Sequence, residues 1–235
     1  MVVGAALLAG LLLLVAGPAL AQGTLPACPP RSAVPVRVTV EDPPVRIRRP
    51  VPAAELRTLA EGDSGLEAAD PNLHHLALTL SRVEWRSEIT VRSQGVAGGP
   101  VCALPAELRL TLLHAEHSIV LAREVPRGGC LAREVLAHER RHAEVNRRTL
   151  RDAATALRGA AQRWAARAEV RAPDVAAAAA ALQDDLEAAV EPMLDRLRRA
   201  REAGHGAIDT PAEYRRLASV CPEDQRRLRR AIGTR

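Results

Sequence analysis

The sequence predicts an α+β fold: an N-terminal antiparallel sheet packed on one long helix, then a second long helix that completes a hairpin, and short C-terminal helices. Apolar and polar residues alternate through much of the first half, as in strands. The second half holds two long helical runs with little glycine or proline. A chain of 235 residues suits one domain. We assign residues 36–235 to it, with 36–129 mainly strand and 130–235 mainly helix.

Residues 1–21 have the pattern of a secretory signal peptide. An apolar run is broken at Pro18, and Ala19-Leu20-Ala21 fits a cleavage site. The run is short for a membrane span, although an uncleaved anchor is the alternative. Residues 22–35 form a proline-containing lead-in. We therefore expect a periplasmic or secreted protein with no stable membrane span after cleavage.

Strand signals cover residues 36–40, 45–47, 76–91, 108–112 and 119–125. They predict an antiparallel sheet of about four strands. The alternation slips between Leu80 and Val83, which indicates a bulge. A short helix is expected from Pro52 to Glu61.

Two long helices are expected, from Leu131 to about Ala168 and from Asp174 to about Ala203. A turn at 171–173 joins them as an antiparallel hairpin, and Pro192 should kink or split the second. Asp209-Thr-Pro-Ala-Glu213 has the signature of a helix start, so we expect a short C-terminal helix there.

Cysteine spacing predicts two disulfides, because an even number of cysteines in an exported chain is typical of disulfide-bonded proteins. The four are Cys28, Cys102, Cys130 and Cys221. Three pairings are possible. We favour Cys102–Cys130 and Cys28–Cys221, since the second pair would tie the chain ends together. No Cys-x-x-Cys pair is present, which argues against a cysteine metal site.

The charge pattern indicates no nucleic-acid partner. All 33 basic residues are arginine, and the formal net charge is +5. The clusters at 196–201 and 226–230 contain no aromatic residues on which bases could stack. We interpret the arginines as solvent-exposed surface.

The candidate site is His138-Glu139-Arg140-Arg141-His142, within the first long helix. Residues four apart share a helix face, so both imidazoles can bind one metal ion. Zinc is the expected metal, about one ion per chain, for imidazole and carboxylate ligands in an exported protein. Glu139 is the candidate general base, which would take a proton from a metal-activated water.

Both histidines fall on the stripe of this helix that should face the interior. The stripe comprises Leu131, Val135, His138, His142, Val145 and Thr149. Buried histidines need polar partners, and one metal ion satisfies both. The alternative is a rotated helix with both imidazoles in water. Asn146, one turn beyond His142, is a candidate to hold a ligand in place.

The third metal ligand is left open. Arg148 stands where a metzincin would place a third histidine, and Gln162 stands near the position of the thermolysin glutamate. An antiparallel hairpin would place residues 200–206 opposite the motif, so His205 or Glu202 is the tentative third ligand. Glu187 or Glu191 becomes a candidate if the helices are offset.

The order of export signal, sheet, Cys130 and Val135-Leu-Ala-His138-Glu139-Arg-Arg-His142-Ala-Glu-Val-Asn146 resembles bacterial secreted or periplasmic zinc-dependent proteases of the zincin-like type. This group includes domain-of-unknown-function families. Ile208-Asp-Thr-Pro-Ala-Glu-Tyr214 and Cys221 are also similar to it. The resemblance spans roughly residues 70–221. It implies a sheet packed on the motif helix, His138 and His142 as zinc ligands and Glu139 as base, and it names no third ligand.

We therefore expect a zinc-dependent metallopeptidase that acts on a peptide or protein outside the cytoplasm. Two alternatives stay open. One is a non-catalytic metal-binding or envelope scaffold protein that uses its helical hairpin for contacts. The other is a zinc amidohydrolase that acts on cell-wall peptides. The sequence leaves the substrate and the oligomeric state open.

Overall fold

The fold was obtained as a computed structural model, which describes residues 26–64, 76–95 and 99–233. It confirms a chain of mixed helix and sheet. The predicted signal segment lies outside the described residues. The strands are β1 (Val36–Glu41), β2 (Arg46–Ile47), β3 (Ala77–Gly95), β4 (Val101–Leu121) and β5 (Val170–Ala172), and the helices are α1 (Ala53–Ser64), α2 (Cys130–Arg167), α3 (Val175–Gly206), α4 (Pro211–Ser219) and α5 (Pro222–Gly233).

The sheet is mixed, so the prediction of an antiparallel sheet was wrong. β4 is central, and β3 runs antiparallel along one of its edges. Its other edge pairs with β5 in antiparallel orientation, then with β1 and β2, both parallel. Pro43 and Pro44 separate β1 from β2 and lack the N–H groups that a continuous ladder needs. Alternation reveals strands, but it carries no information on the direction of the partner.

The predicted irregularity near Leu80–Val83 is confirmed. Pairing shifts between Arg82 and Val83, where Ala115 is the extra residue of β4. Because successive side chains alternate, this extra residue allows His114 and His117 to share a face of the sheet. Their rings stack with centroids 4.4 Å apart.

The two long helices form the predicted hairpin, and α2 packs against both the sheet and α3. Their shared core includes Leu157, Trp164 and Leu186 with Leu108 and Leu110 of β4. The segment between the helices was predicted as a turn, but it also contains strand β5, which pairs with β4.

α3 runs from Val175 to Gly206 as a single helix, so it is not split at Pro192 as one reading of the sequence allowed. Gly204 of α3 lies so close to α2 that an added Cβ would stand 2.6 Å from Val145 Cγ1. The end of α3 therefore packs beside the motif helix, as the hairpin predicted.

The start of α2 is capped by a distant residue. Its N-cap, Gly129, has no side chain, and Asp224 of α5 accepts the Leu131 N–H at 3.0 Å. A Cβ on Gly129 would stand 2.4 Å from Asp224 Oδ2, so glycine leaves room for this carboxylate. The negative charge also favours the positive end of the helix dipole.

Two disulfides are confirmed, but the favoured pairing was wrong. The bonds are Cys28–Cys102 and Cys130–Cys221. The first joins the lead-in to β4, and the second joins the start of α2 to the junction of α4 and α5. Spacing could not decide this, because pairing follows from which Cα atoms the fold brings within bonding reach. Disulfides are typical of an oxidising compartment, so they are compatible with an extracytoplasmic protein.

Among the described residues, no helix combines the length and the apolar content that a membrane crossing requires.

Candidate metal centre

The motif histidines lie on the buried face of α2, as predicted. His138 is 5% exposed and His142 is 7% exposed. Their Nε2 atoms are 3.1 Å apart. The alternative of a rotated helix with both rings in water is therefore wrong.

Asp209 completes a three-atom cluster with these histidines. Its Oδ1 lies 3.1 Å from His138 Nε2 and 3.1 Å from His142 Nε2. Asp209 belongs to the short connection between α3 and α4, which brings it back over the motif helix. These three residues form a group whose atoms could hold a metal ion.

The spacing of the three atoms is compatible with one shared metal ion. With sides of 3.1 Å, each atom lies about 1.8 Å from the centre of the triangle. Zinc bonds to nitrogen and oxygen are about 2.0–2.1 Å long, slightly more than this, so one zinc ion could contact all three atoms. One position would stay open for a water molecule or a substrate, as catalytic zinc sites require.

Glu213 holds the far side of the His138 ring. Its Oε1 is 3.3 Å from His138 Nδ1, and the Arg141 guanidinium binds the same carboxylate. His138 Nδ1 also lies 3.1 Å from Arg141 Nη2, which can only donate. The tautomer with its proton on Nδ1, donated to Glu213, is the one that leaves the Nε2 lone pair facing the cluster. A carboxylate behind a metal-binding histidine is the usual way to fix this tautomer.

His205 lies behind the His142 ring, as Glu213 lies behind the His138 ring. His205 is therefore not in the position of a third metal ligand. Its Nδ1 lies 2.8 Å from His142 Nδ1, on the side of the ring away from Asp209, and its Nε2 lies 3.1 Å from Asn146 Oδ1. Burial lowers the pKa of His205 to about 4, so the ring is neutral at pH 7. Its Nδ1 can therefore accept a hydrogen bond from His142 Nδ1. A chain from Asn146 through His205 therefore turns the His142 Nε2 lone pair to the cluster.

Glu202, the other tentative third ligand, is exposed on α3. The prediction that residues 200–206 lie opposite the motif was correct, but the chain continues past α3 and returns with Asp209. Asn146 lies where it was expected, 1% exposed and bound to His205.

Glu139 is buried on the sheet side of α2. Thr79 of β3 donates its hydroxyl to Glu139 Oε2 at 2.6 Å and to the Glu139 backbone carbonyl at 3.1 Å. Burial raises the pKa of this carboxyl, against the hydrogen bond from Thr79 and the nearby histidines. A carboxyl with a raised pKa is better suited to exchange protons near neutral pH.

Asp209 is ionised in this setting. Burial opposes its charge, but the adjacent imidazoles of His138 and His142 outweigh burial and lower the pKa of Asp209. Burial, together with the nearby Asp209 carboxylate, raises the pKa of Tyr214. The phenol therefore stays protonated as a donor beside the cluster.

Sequence reasoning missed Asp209, Glu213, Tyr214 and Thr79 as site residues. The only available signal was Asp209-Thr-Pro-Ala-Glu213, which we interpreted as a helix start. That reading was correct, because Thr210 caps α4 through the Glu213 N–H. The same short segment, with the Tyr214 that follows it, also supplies three polar side chains to the site.

In the described part of the chain, two further groups have metal-ligand atoms close together. One contains Cys28, Cys102 and Glu169, and its two sulfurs are joined in a disulfide, so no thiolate is left for a metal. The other contains Asp42, His114 and His117.

Comparison with known proteins yields no matching family model, no matching curated protein and no matching solved structure.

Proposed function

We propose that this protein is a zinc-dependent metallopeptidase that works in the periplasm or outside the cell. The observation that carries the proposal is the triangle of His138 Nε2, His142 Nε2 and Asp209 Oδ1, with sides of 3.1 Å. The two disulfides support an oxidising compartment. The His-Glu-x-x-His spacing from His138 to His142 supports the same reaction class.

In this proposal three residues bind zinc and a fourth moves protons. His138, His142 and Asp209 hold the ion, which when bound polarises a peptide carbonyl and lowers the pKa of water. Glu139 takes the proton of the attacking water and later gives it to the leaving amine. Among the described residues only Thr79 donates to the Glu139 carboxylate, so Thr79 fixes its orientation.

Tyr214 is placed to assist at the open side of the site. Its ring centroid is 6.3 Å from that of His138. It is 45% exposed, so a substrate can reach it. We assign it the role of donating a hydrogen bond to the developing oxyanion, a contribution of about 2–4 kcal/mol in comparable sites.

The non-catalytic alternative has one observation in its favour. Glu139 is only 7% exposed, and Thr79 already binds one of its oxygens. A metal-binding scaffold would have the same three ligands and would not depend on Glu139 for its role. The amidohydrolase alternative would use the same residues on a different amide.

The decisive experiment compares Glu139→Gln with wild type. Purified, disulfide-bonded protein should contain about one zinc per chain by mass spectrometry of the metal. The variant should keep the zinc and lose hydrolysis of a broad peptide library by at least about 100-fold. Glu144→Gln, on the same helix but exposed, is the matched control and should behave as wild type.

Three outcomes separate the readings. Zinc bound without hydrolysis in any variant would favour the scaffold. Activity restricted to cell-wall peptides would favour the amidohydrolase. Ordered protein with no affinity for zinc would overturn the proposal.

A further inference from the structure

Strand β3 has one edge that pairs with no strand in the part of the chain that the structure describes. β3 pairs with β4 along its whole length, and β4 is its only partner among the described strands. α1 packs near the start of β3, where Leu56 and Leu80 belong to one core cluster. Beyond that point Arg82, Arg86 and Glu88 are exposed. The backbone N–H and C=O groups of such an edge are a template for a further strand.

β3 lacks most of the features that prevent an edge strand from pairing. It is 19 residues long, and its sequence contains no proline. Two bulges interrupt the β3–β4 ladder, but their extra residues, Ala106 and Ala115, belong to β4, so β3 itself is regular. Proteins usually protect an edge by a short strand, a proline, a bulge or charged side chains. Only the charged side chains are present in β3.

The charges of β3 alternate in sign along one face of the sheet. Side chains two apart share a face, and the odd-numbered ones face the helices, because Thr79 binds Glu139 of α2 and Ser87 binds Gln183 of α3. The opposite face therefore carries, in order, Arg82, Glu84, Arg86 and Glu88. Charges of one sign would repel a second copy of the strand. An alternating row is instead complementary to its own reverse.

An antiparallel pair of β3 strands from two copies satisfies this row when the two-fold axis passes through Trp85. Glu84 of each copy then lies opposite Arg86 of the other, and Arg82 lies opposite Glu88. The symmetry makes four pairs of opposite charge. On the helix side, the partly buried Trp85 lies opposite Trp85 of the second copy. Opposite charges and aromatic pairs that face each other across strands both stabilise a sheet.

The same charges disfavour the neighbouring registers. An axis through Glu84 would place that residue opposite itself and Arg82 opposite Arg86. An axis through Arg86 would do the same to Arg86 and would place Glu84 opposite Glu88. An axis between two residues pairs side chains from opposite faces, which would put the helices of the second copy on the wrong side of the sheet. The axis at Trp85 therefore gives the most opposite-charge pairs.

We propose that this protein forms a two-fold symmetric dimer in which the β3 edges of two copies pair antiparallel about Trp85. The interface is isologous, since the same strand serves both copies. One strand pair buries less surface than a standard stable interface, so we expect a dissociation constant of about 1–100 µM. The proposal does not depend on metal binding or hydrolysis.

Sedimentation velocity of the purified, disulfide-bonded protein tests this between about 1 and 300 µM. Wild type should change from monomer to dimer across this range. Glu84→Arg alone and Arg86→Glu alone each place two like-charged pairs in the interface, so each should raise the dissociation constant at least about ten-fold. Circular dichroism should show both variants folded, because these side chains lie on the solvent face of the sheet.

A mixture of the two single variants provides the rescue. The arginine introduced in one copy faces the glutamate introduced in the other, and the remaining pairs are those of wild type. The mixture should therefore form a heterodimer with near wild-type affinity, as should the homodimer of the double variant Glu84→Arg/Arg86→Glu. Arg37→Glu, exposed on β1 across β4 from β3, changes the net charge as Arg86→Glu does and should dimerise as wild type.

Three results would overturn the proposal. The first is wild type that stays monomeric at every concentration, which would leave the β3 edge to a different strand. The second is a dimer that both single variants form as tightly as wild type does. The third is a mixture of the single variants that associates no better than either variant alone, because general charge effects would then explain the weakening.

Discussion

The Nδ1 atoms of His142 and His205 lie 2.8 Å apart, and His205 in turn reaches Asn146. α3 thus supplies a histidine that orients a histidine of α2 and does not join it at the cluster. Because one of two facing Nδ1 atoms must donate and the other accept, the contact fixes both tautomers. This gives His205 a role that can be separated from that of a metal ligand.

Replacement of His205 by alanine should weaken zinc binding about 10–100-fold, the usual loss when the partner of a metal-binding histidine is removed. Stoichiometry should stay near one ion per chain at saturating zinc. Competition with a chromophoric chelator measures the affinity. Glu202→Ala, three residues earlier and exposed, should leave it unchanged. If either variant no longer binds one zinc ion per chain at saturating zinc, the residue replaced in that variant is the third ligand.

Asp209→Asn should lose far more affinity than His205→Ala, because it removes the anionic ligand of the triangle. We expect at least about a 100-fold loss, with the fold retained in circular dichroism, since Asp209 lies in a short connection between helices. Asp195→Asn, exposed on α3, is the control. Wild-type zinc affinity in Asp209→Asn would contradict the assignment.

The two disulfides should differ in their effect on the site. Replacing either pair by serine should lower the free energy of unfolding by about 2–4 kcal/mol. Only the Cys130–Cys221 pair holds the start of α2 to the end of α4, the helix that carries Glu213. Its loss should therefore also weaken zinc binding.

The matched control for that effect is the Cys28–Cys102 pair, which joins β4 to the lead-in. Denaturant unfolding and chelator competition on both double variants give the two quantities. Equal zinc affinities in the two variants would show that α4 stays in place without its disulfide.

His117 should make stability depend on pH. Burial, followed by the neighbouring His114, lowers the pKa of His117 to about 4. Arg201 and Arg147 also lower this pKa, and Asp42 raises it. The unfolded chain, with a histidine pKa near 6.5, binds this proton more readily than the folded one. The contribution of neutral His117 to the free energy of unfolding is therefore complete above about pH 6.5. It is lost as the pH falls to about 4, and the loss amounts to at most ~3 kcal/mol.

The check is denaturant unfolding of wild type and His117→Leu between about pH 7 and pH 4, in chloride buffers without phosphate. The variant should lose less stability across this window than wild type. Parallel pH profiles for the two proteins would show that His117 does not carry the effect.

The sequence by itself determined the local elements and the two histidines of the candidate metal centre. A spacing of four places His138 and His142 on one face of a helix wherever that helix lies, and the apolar stripe around them indicates that the face is buried. The long helices and the bulge near Val83 follow from equally local patterns. All of these depend on residues within a turn or two of one another.

Tertiary structure alone decided the strand directions, the disulfide pairing and the completion of the site. Asp209 lies 67 residues beyond His142, and no periodicity connects positions so far apart. It reaches the histidines because α3 packs back along α2 and the chain then turns over the motif. His205 was recognised as a neighbour from the hairpin, but only its ring orientation shows that it supports His142 from behind. Such roles depend on distances between elements, which local sequence does not encode.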